Sequence, residues 1–435
     1  MYCSRRYGHA NQRGIGARSE AFYQRRSHHQ AALSAWGLKS LFEASSERRT
    51  EKMSSFWKLD EAATKLVAKT DEIAREVIQP LAPKTDEEGR FPKENIEALK
   101  KAGLLRLVSA HAVGGCGEGL RAGVAVAERI ARDCPSTAMV VIMHYIATAV
   151  IEKHGTEAMR RSIAQDGKLA TLAFSEFGSR SHFWVPVSTA TTSADGVRLN
   201  AAKQLITSAG ACDIYVWSSK PAAAEGLSTI WAVPADANGL TIPKPYTGLG
   251  LRGNNSAPIT ATDVLIPEAN RLGDDGKGFD VMMGVVLPHF SLMNCAVSVG
   301  MMEGALTRAV SHVTNSKYSY DGSKIADLPQ VRGHIAKMRL KVDMVRGLLL
   351  DAIDAVEQGR EDATLRVLES KLAGAETSLE VHDLAMRVCG GAAFRKDVGV
   401  ERFFRDSRAA GVMAPVSDAL YEFIGRAVCG MPVFG

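Results

Sequence analysis

Few side chains in this 435-residue chain have a type and spacing suited to moving a proton. Asp418 and Glu422 lie four apart, so a helix through them sets both carboxylates on one face, as proton acceptors or as surface and capping groups. His144, His182 and His289 could exchange a proton near neutral pH. His144 also fits a helical core pattern, because it sits inside the apolar stretch from Thr137 to Ile151. Thr207 offers a hydroxyl to a ligand or, as a β-branched residue, packs in a strand. Ser181 suits a turn cap as well as a polar contact. Gly390-Gly391 reads as a helix C-cap or as a place where a missing Cβ permits close approach. Cys3, Cys116, Cys134, Cys212, Cys295, Cys389 and Cys429 are dispersed, with no Cys-x-x-Cys pair and no cluster with histidine. No metal site is expected, and the thiols suit a reducing compartment.

Three regions must position these groups. Residues 53–166 read as helical. Apolar residues recur at helical spacing from Leu59 to Leu81, with Pro80 and Pro83 as the stop. Pro92 opens a helix over Lys93–Ala102 that ends at Gly103, and a glycine-rich turn at Gly114–Gly119 precedes a long helical stretch to about His154. Residues 167–273 change to alternating β-branched and aromatic residues with recurrent turns. The strands are predicted at Ala170–Phe174, Val185–Thr192, Gly196–Ala202, Ile214–Ser219, Thr229–Val233 and Ile259–Val264. From 274 to 435 the helical period returns, over 277–316, 324–358, 361–389 and about 409–428. The fold class is therefore α+β, with helices on both sides of a β domain.

Leu172-Ala173-Phe174-Ser175-Glu176-Phe177-Gly178-Ser179-Arg180-Ser181 resembles the acyl-CoA dehydrogenase signature, a strand followed by Thr-Glu-Pro-Gly-x-Gly-Ser. Lys203-Gln204-Leu205-Ile206-Thr207 is similar to that family's Lys-x-Trp-Ile-Thr. Gly250-Leu251-Arg252-Gly253, Thr262 to Pro267, Gly276-Lys277-Gly278-Phe279, Gly390-Gly391-Ala392-Ala393-Phe394 and Glu401 to Asp406 follow in the family's order and spacing. The resemblance spans roughly residues 57–430. It implies an N-terminal helical domain, a central β-barrel or sandwich and a C-terminal four-helix bundle.

It also implies an FAD enzyme that dehydrogenates an acyl-CoA thioester at its α and β carbons. The expected assembly is a homotetramer or homodimer, with an electron-transferring flavoprotein as acceptor. By the same resemblance Leu172, Phe174, Ser175, Gly178, Leu205, Ile206 and Thr207 hold the flavin. Ser181 meets flavin phosphate and, with His182, the substrate. Gly390 and Gly391 approach the cofactor of the neighbouring subunit, Arg387 replaces a family glutamine three residues before them, and Lys317, otherwise a solvated lysine, lies near the position of a family arginine that meets FAD pyrophosphate.

The departures bear on the reaction. Leu205 stands where the family has tryptophan, which removes a stacking partner, while Arg180 and His182 make the mouth more basic. The family's usual glutamate base falls on Ala414, and its alternative position falls on about Phe290. Neither side chain can accept a proton. Asp418, Glu422 or His289 could replace it. Alternatively, the fold could serve flavin oxygen chemistry as a monooxygenase or oxidase, with His144, Ser181, His182 and His289 as polar groups. A non-catalytic flavin or acyl-CoA binder is the third reading.

The net charge of +5 is uneven. Residues 1–52 hold ten Lys/Arg against four Asp/Glu and read as a disordered basic extension, whereas the remainder is near neutral and gives no reason to expect nucleic acid. Arg-rich, acid-poor and serine-bearing, the extension is either a transit peptide, implying an organellar matrix, or an upstream addition to a cytoplasmic protein. No run of about 18 uninterrupted apolar residues suggests a membrane span.

Overall fold

The computed structural model describes residues 55–179 and 182–433. The extension 1–52 and Ser181 therefore lie outside the described residues, as does Arg180. The N-terminal helices are α1 (Glu61–Ile73), α2 (Gln79–Glu88), α3 (Lys93–Lys101), α4 (Leu120–Ala131), α5 (Pro135–His154) and α6 (Glu157–Ala164). Asp60 caps α1 by accepting from Ala63 N at 2.8 Å.

The predicted stop at Pro80 and Pro83 does not occur. A π turn at Ala74–Ile78 joins α1 to α2, Pro80 sits in the first turn of α2, and Pro83 lies inside it. A proline costs least in a first turn, where its missing N–H has no helical acceptor to leave empty. Gly89, at φ +60°, ends the run instead. The same device recurs where α7 (Gly278–Val281) passes through a π turn at Met282–Val286 into α8 (Leu287–Asn315), with Pro288 in its first turn.

Seven strands follow α6: β1 (Ala170–Ala173), β2 (Thr189–Ser193), β3 (Gly196–Ile206), β4 (Ile214–Ser219), β5 (Thr229–Pro234), β6 (Leu240–Thr241) and β7 (Ala257–Ile266). β1, β4 and β5 form one sheet, with β1 parallel and β5 antiparallel to the central β4. Every residue of β4 is buried, which explains its unbroken run of Ile, Tyr, Val and Trp. β2, β3, β7 and β6 form a second, antiparallel sheet. β2 begins four residues later than predicted, since Val185 and Val187 are exposed loop residues. The two-residue β6 is too short to register as a pattern.

The C-terminal region continues with α9 (Pro329–Glu357), α10 (Ala363–Cys389), α11 (Val400–Asp406), α12 (Ala409–Val412) and α13 (Ser417–Val428). Helices α8, α9, α10 and α13 make the four-helix bundle, with α10 packed against the other three. The last helix is not continuous from 409, because residues 413–416 interrupt it.

α8 also leans on α4. A Cβ on Gly300 would come within 2.4 Å of Glu128 O, so only glycine permits that approach. Buried Glu128 takes Arg346 from α9 at 2.9 Å, and Arg346 reaches Glu303 of α8 at 2.8 Å. Length and composition alone would let α5 and the run Gly278–Asn315 cross a bilayer, which counting uninterrupted apolar residues missed. Their most apolar windows are 83% and 72% buried within the fold, so this apolar surface is used in the core.

Candidate functional site

Stretches distant in sequence meet as four walls around a cavity of about 460 Å3. Leu172 lies in β1 and Phe174, Ser175 and Glu176 follow it, while Gln204, Leu205 and Ile206 end β3 and Thr207 follows. The third wall is the loop from Tyr246 to Ser256. Leu287 and Phe290 of α8 and Val412 to Pro415 form the fourth, with Met139 and Met143 of α5 adding thioether surface.

A buried ion pair fastens the first two walls. Lys203 Nζ lies 2.6 Å from Glu176 Oε1, both side chains fully buried. Lys203 also donates to Ser218 O at 2.7 Å, and Glu176 accepts from Val187 N, Ser188 N and the Ser188 hydroxyl. Burial opposes both charges. It pulls Lys203 down to about 8, whereas Lys203 and the hydrogen bonds more than offset it for Glu176, whose carboxyl lies below its usual range. Gln204 N donates to Ser175 O at 2.9 Å, and the Thr171 hydroxyl donates to Thr207 O at 2.9 Å. A bulge between Lys203 and Ile206 then turns Leu205 out at φ +54°, leaving it 64% exposed on the cavity rim.

The third wall is held from α11. Asp406 accepts from Leu251 N at 2.6 Å, while Arg405 grips Asp86 at 2.6 Å and donates to Leu249 O at 3.0 Å. Gly250 passes so near that a Cβ would fall 2.6 Å from Arg405 O. Burial pushes Asp406 up to about 6 against the opposing pull of the Leu251 N–H and Arg402. Arg405 and Asp406 thus clamp a cavity loop.

Of the residues singled out in the sequence, Leu172, Phe174, Ser175, Leu205, Ile206, Thr207, Phe290 and Ala414 line this cavity together. Gly178 and His182 are exposed outside it, His182 edge-on to Trp184 at 5.3 Å. His289 does not line it either. Its ring pairs with Val285 O at 2.7 Å, and burial lowers its pKa. Asp418 and Glu422 do share a helix face, but the outer one. α13 turns Leu420, Phe423 and Ile424 to the bundle, and among the described residues Glu422 forms an ion pair only with Arg426, at 3.7 Å. His144 is fully engaged in the core. It pairs with Leu105 O at 2.7 Å and accepts from Ala170 N at 3.0 Å, and burial lowers it to about 4. Lys317, Arg387, Gly390 and Gly391 are exposed and outside the cavity. Gly390, at φ +57° and ψ −140°, has open space around its missing Cβ.

Sequence reasoning passed over two lysines. Lys203 lay in a quoted motif without a role. Lys371 lies on the apolar face of α10 between Leu368 and Ala375, the one signal that could have drawn notice. It is buried and donates to Ala410 O at 3.3 Å, Met413 O at 3.0 Å and Pro415 O at 2.8 Å.

The cavity suits a planar, polar-edged ring system. Its walls are mainly apolar, and the side chains of Ser175, Gln204 and Thr207 line it with no hydrogen bond to any described residue. Glu176 is the one carboxylate among the described lining residues, and Lys203 occupies it.

Family models for the acyl-CoA dehydrogenase N-terminal, middle and C-terminal domains match residues 60–166, 171–264 and 276–429 in turn. The chain belongs to the acyl-CoA dehydrogenase family. A curated relative, acryloyl-CoA reductase (NADH) from Anaerotignum propionicum, is 27% identical over 359 residues, 81% of this chain and 90% of that protein. Butyryl-CoA dehydrogenase from Megasphaera elsdenii shares the fold at a TM-score of 0.79 and 21% identity, over 85% of this chain and 99% of that one. A structure described as PigA with FAD and proline aligns at a TM-score of 0.77 and 20% identity, over 85% and 98%. In this acyl-CoA dehydrogenase family member Phe290 and Ala414, the two positions expected to carry the base, line one cavity with side chains that cannot accept a proton.

Proposed function

We propose that the chain is an FAD-dependent oxidoreductase that dehydrogenates an acyl-CoA thioester without a carboxylate base on the cavity wall. One observation carries this reading: Thr207, Ser175 and Gln204, with free hydrogen-bonding groups, share one cavity with Phe290 and Ala414. Bound FAD supplies a two-electron acceptor for the hydride from the substrate's β carbon. Thr207, Ser175 and Gln204 orient the polar edge of the ring, and Leu172, Phe174 and Leu205 cover its apolar part. Phe290, Leu287 and Met143 hold the acyl group against the ring. The α-proton leaves to a water molecule at the cavity mouth, so its removal lacks the assistance of a fixed carboxylate. Lys317, Arg387, Gly390 and Gly391 then serve the cofactor of a neighbouring subunit in a homodimer or homotetramer, with an electron-transferring flavoprotein as acceptor. Ser181 and His182 serve at the substrate's CoA end.

Incubation with FAD, an acyl-CoA series and an artificial electron acceptor, without oxygen, tests the reading. The expected product is a 2-enoyl thioester, two hydrogens lighter. The lack of a free wall carboxylate also suits flavin oxygen chemistry, the second reading. A product made only with oxygen present and carrying an added oxygen atom would establish that reading instead.

A further inference from the structure

The geometry points to Lys371 as the positioning residue of the cavity wall that carries Ala414, an inference that takes the proposed acyl-CoA site as its setting. An ammonium has three donors, and the three acceptors of Lys371 are carbonyls of one short stretch: Ala410, Met413 and Pro415. It forms no ion pair with any described residue, unlike the equally buried Lys203 with its Glu176. A buried charge without a counter-charge is costly, and an apolar side chain would pack there without that cost. The carbonyls account for what the charge does in this place.

They need it. α12 stops at Val412 and α13 starts at Ser417, so the carbonyls of Met413 and Pro415 lie outside a helical ladder and that of Ala410 belongs to the last turn of α12. Met413, Ala414 and Pro415 line the cavity, as does Phe290, whose ring centre is 6.0 Å from Lys371 Nζ. With its carbonyls drawn back to Lys371, this stretch presents the opposite side of its peptides to the cavity. In a wall without a carboxylate, the position of that backbone decides how an acyl group is seated. Lys371 fixes it from behind without touching the ligand.

The test uses the full chain loaded with FAD, as wild type, K371M and K371Q. Deuterium uptake in peptides spanning 409–416 is followed, alongside KM and kcat for an acyl-CoA and the Kd of FAD. K371M should exchange in that segment about tenfold faster and raise KM by about tenfold, the scale of losing strong hydrogen bonds to a charged group. Its kcat and FAD Kd should stay within about threefold of wild type. K371Q retains two donors, so it should fall between the two, and it carries the test if K371M does not fold. Unchanged exchange and KM in K371M would overturn the role, as would faster exchange spread equally over β3 and α10. If wild type acts on no acyl-CoA, the proposed reaction fails, yet the exchange data still decide the part played by Lys371.

Discussion

His144, His382 and Asp406 are buried groups whose protonation pulls stability in opposite directions. Burial lowers both imidazoles from 6.5 to about 4. The stability they contribute is present above about pH 6.5 and is lost as pH falls through about 4, because the unfolded chain takes up their protons first. Asp406 has the reverse sign. Burial raises it from 3.8 to about 6, so its contribution is present below 3.8 and lost as pH rises through about 6. Between pH 4 and 6 these effects partly cancel. D406N keeps an oxygen for the Leu251 N–H but removes the opposing titration. Urea unfolding at pH 6.5 and 4.5 should then show D406N losing more stability on acidification than wild type, by about 1 kcal/mol or more. Equal losses would mean that Asp406 is not raised. This environment could not be read from the sequence: Asp406 was recognisable as a motif residue, but its burial and its hold on Leu251 depend on packing between segments 155 residues apart.

At the level of elements, the pin between Glu176 and Lys203 joins the end of β1 to β3 and sets one end of the cavity. K203M would strand the Glu176 carboxylate in the interior, and a loss of about 3–5 kcal/mol is expected in denaturant unfolding. The double variant E176Q/K203M should cost less than the sum of the single changes, since no buried charge remains. Additive losses would show that the two side chains act independently. Most helices and five of the seven strands were legible close to their positions from period and turn residues. The misses have local causes. Pro80 and Pro83 suggested a stop because a π turn is invisible to a 3.6-residue pattern. The bulge at Leu205 likewise leaves β3 alternating in sequence while it redirects one side chain to the rim. On α13 the four-residue spacing of Asp418 and Glu422 was read correctly, but spacing does not say which face is buried, and Leu420 decides that.

At the scale of the whole molecule, the cavity draws on the N-terminal helices, the β region and the bundle, so a ligand bound there couples all three. FAD at about a hundred times its Kd should raise the unfolding free energy by about 2.7 kcal/mol, measurable as an FAD-dependent rise in Tm. No rise with added FAD would argue that the cavity holds something else. The order of motifs made the fold and eight of the cavity's residues legible. The closure of those walls around one space, and the lysine behind Ala414, required three dimensions. The proposed reaction passes a hydride to flavin in a cavity whose described wall holds no free carboxylate. Rapid anaerobic mixing of the FAD-loaded protein with an acyl-CoA tests it most directly, following loss of the flavin absorbance in wild type and A414E. Slow bleaching is expected in wild type and faster bleaching in A414E, by about 10²- to 10⁴-fold, the contribution of a positioned general base. Wild-type bleaching that A414E slows or leaves unchanged, or no bleaching in either protein, would contradict it.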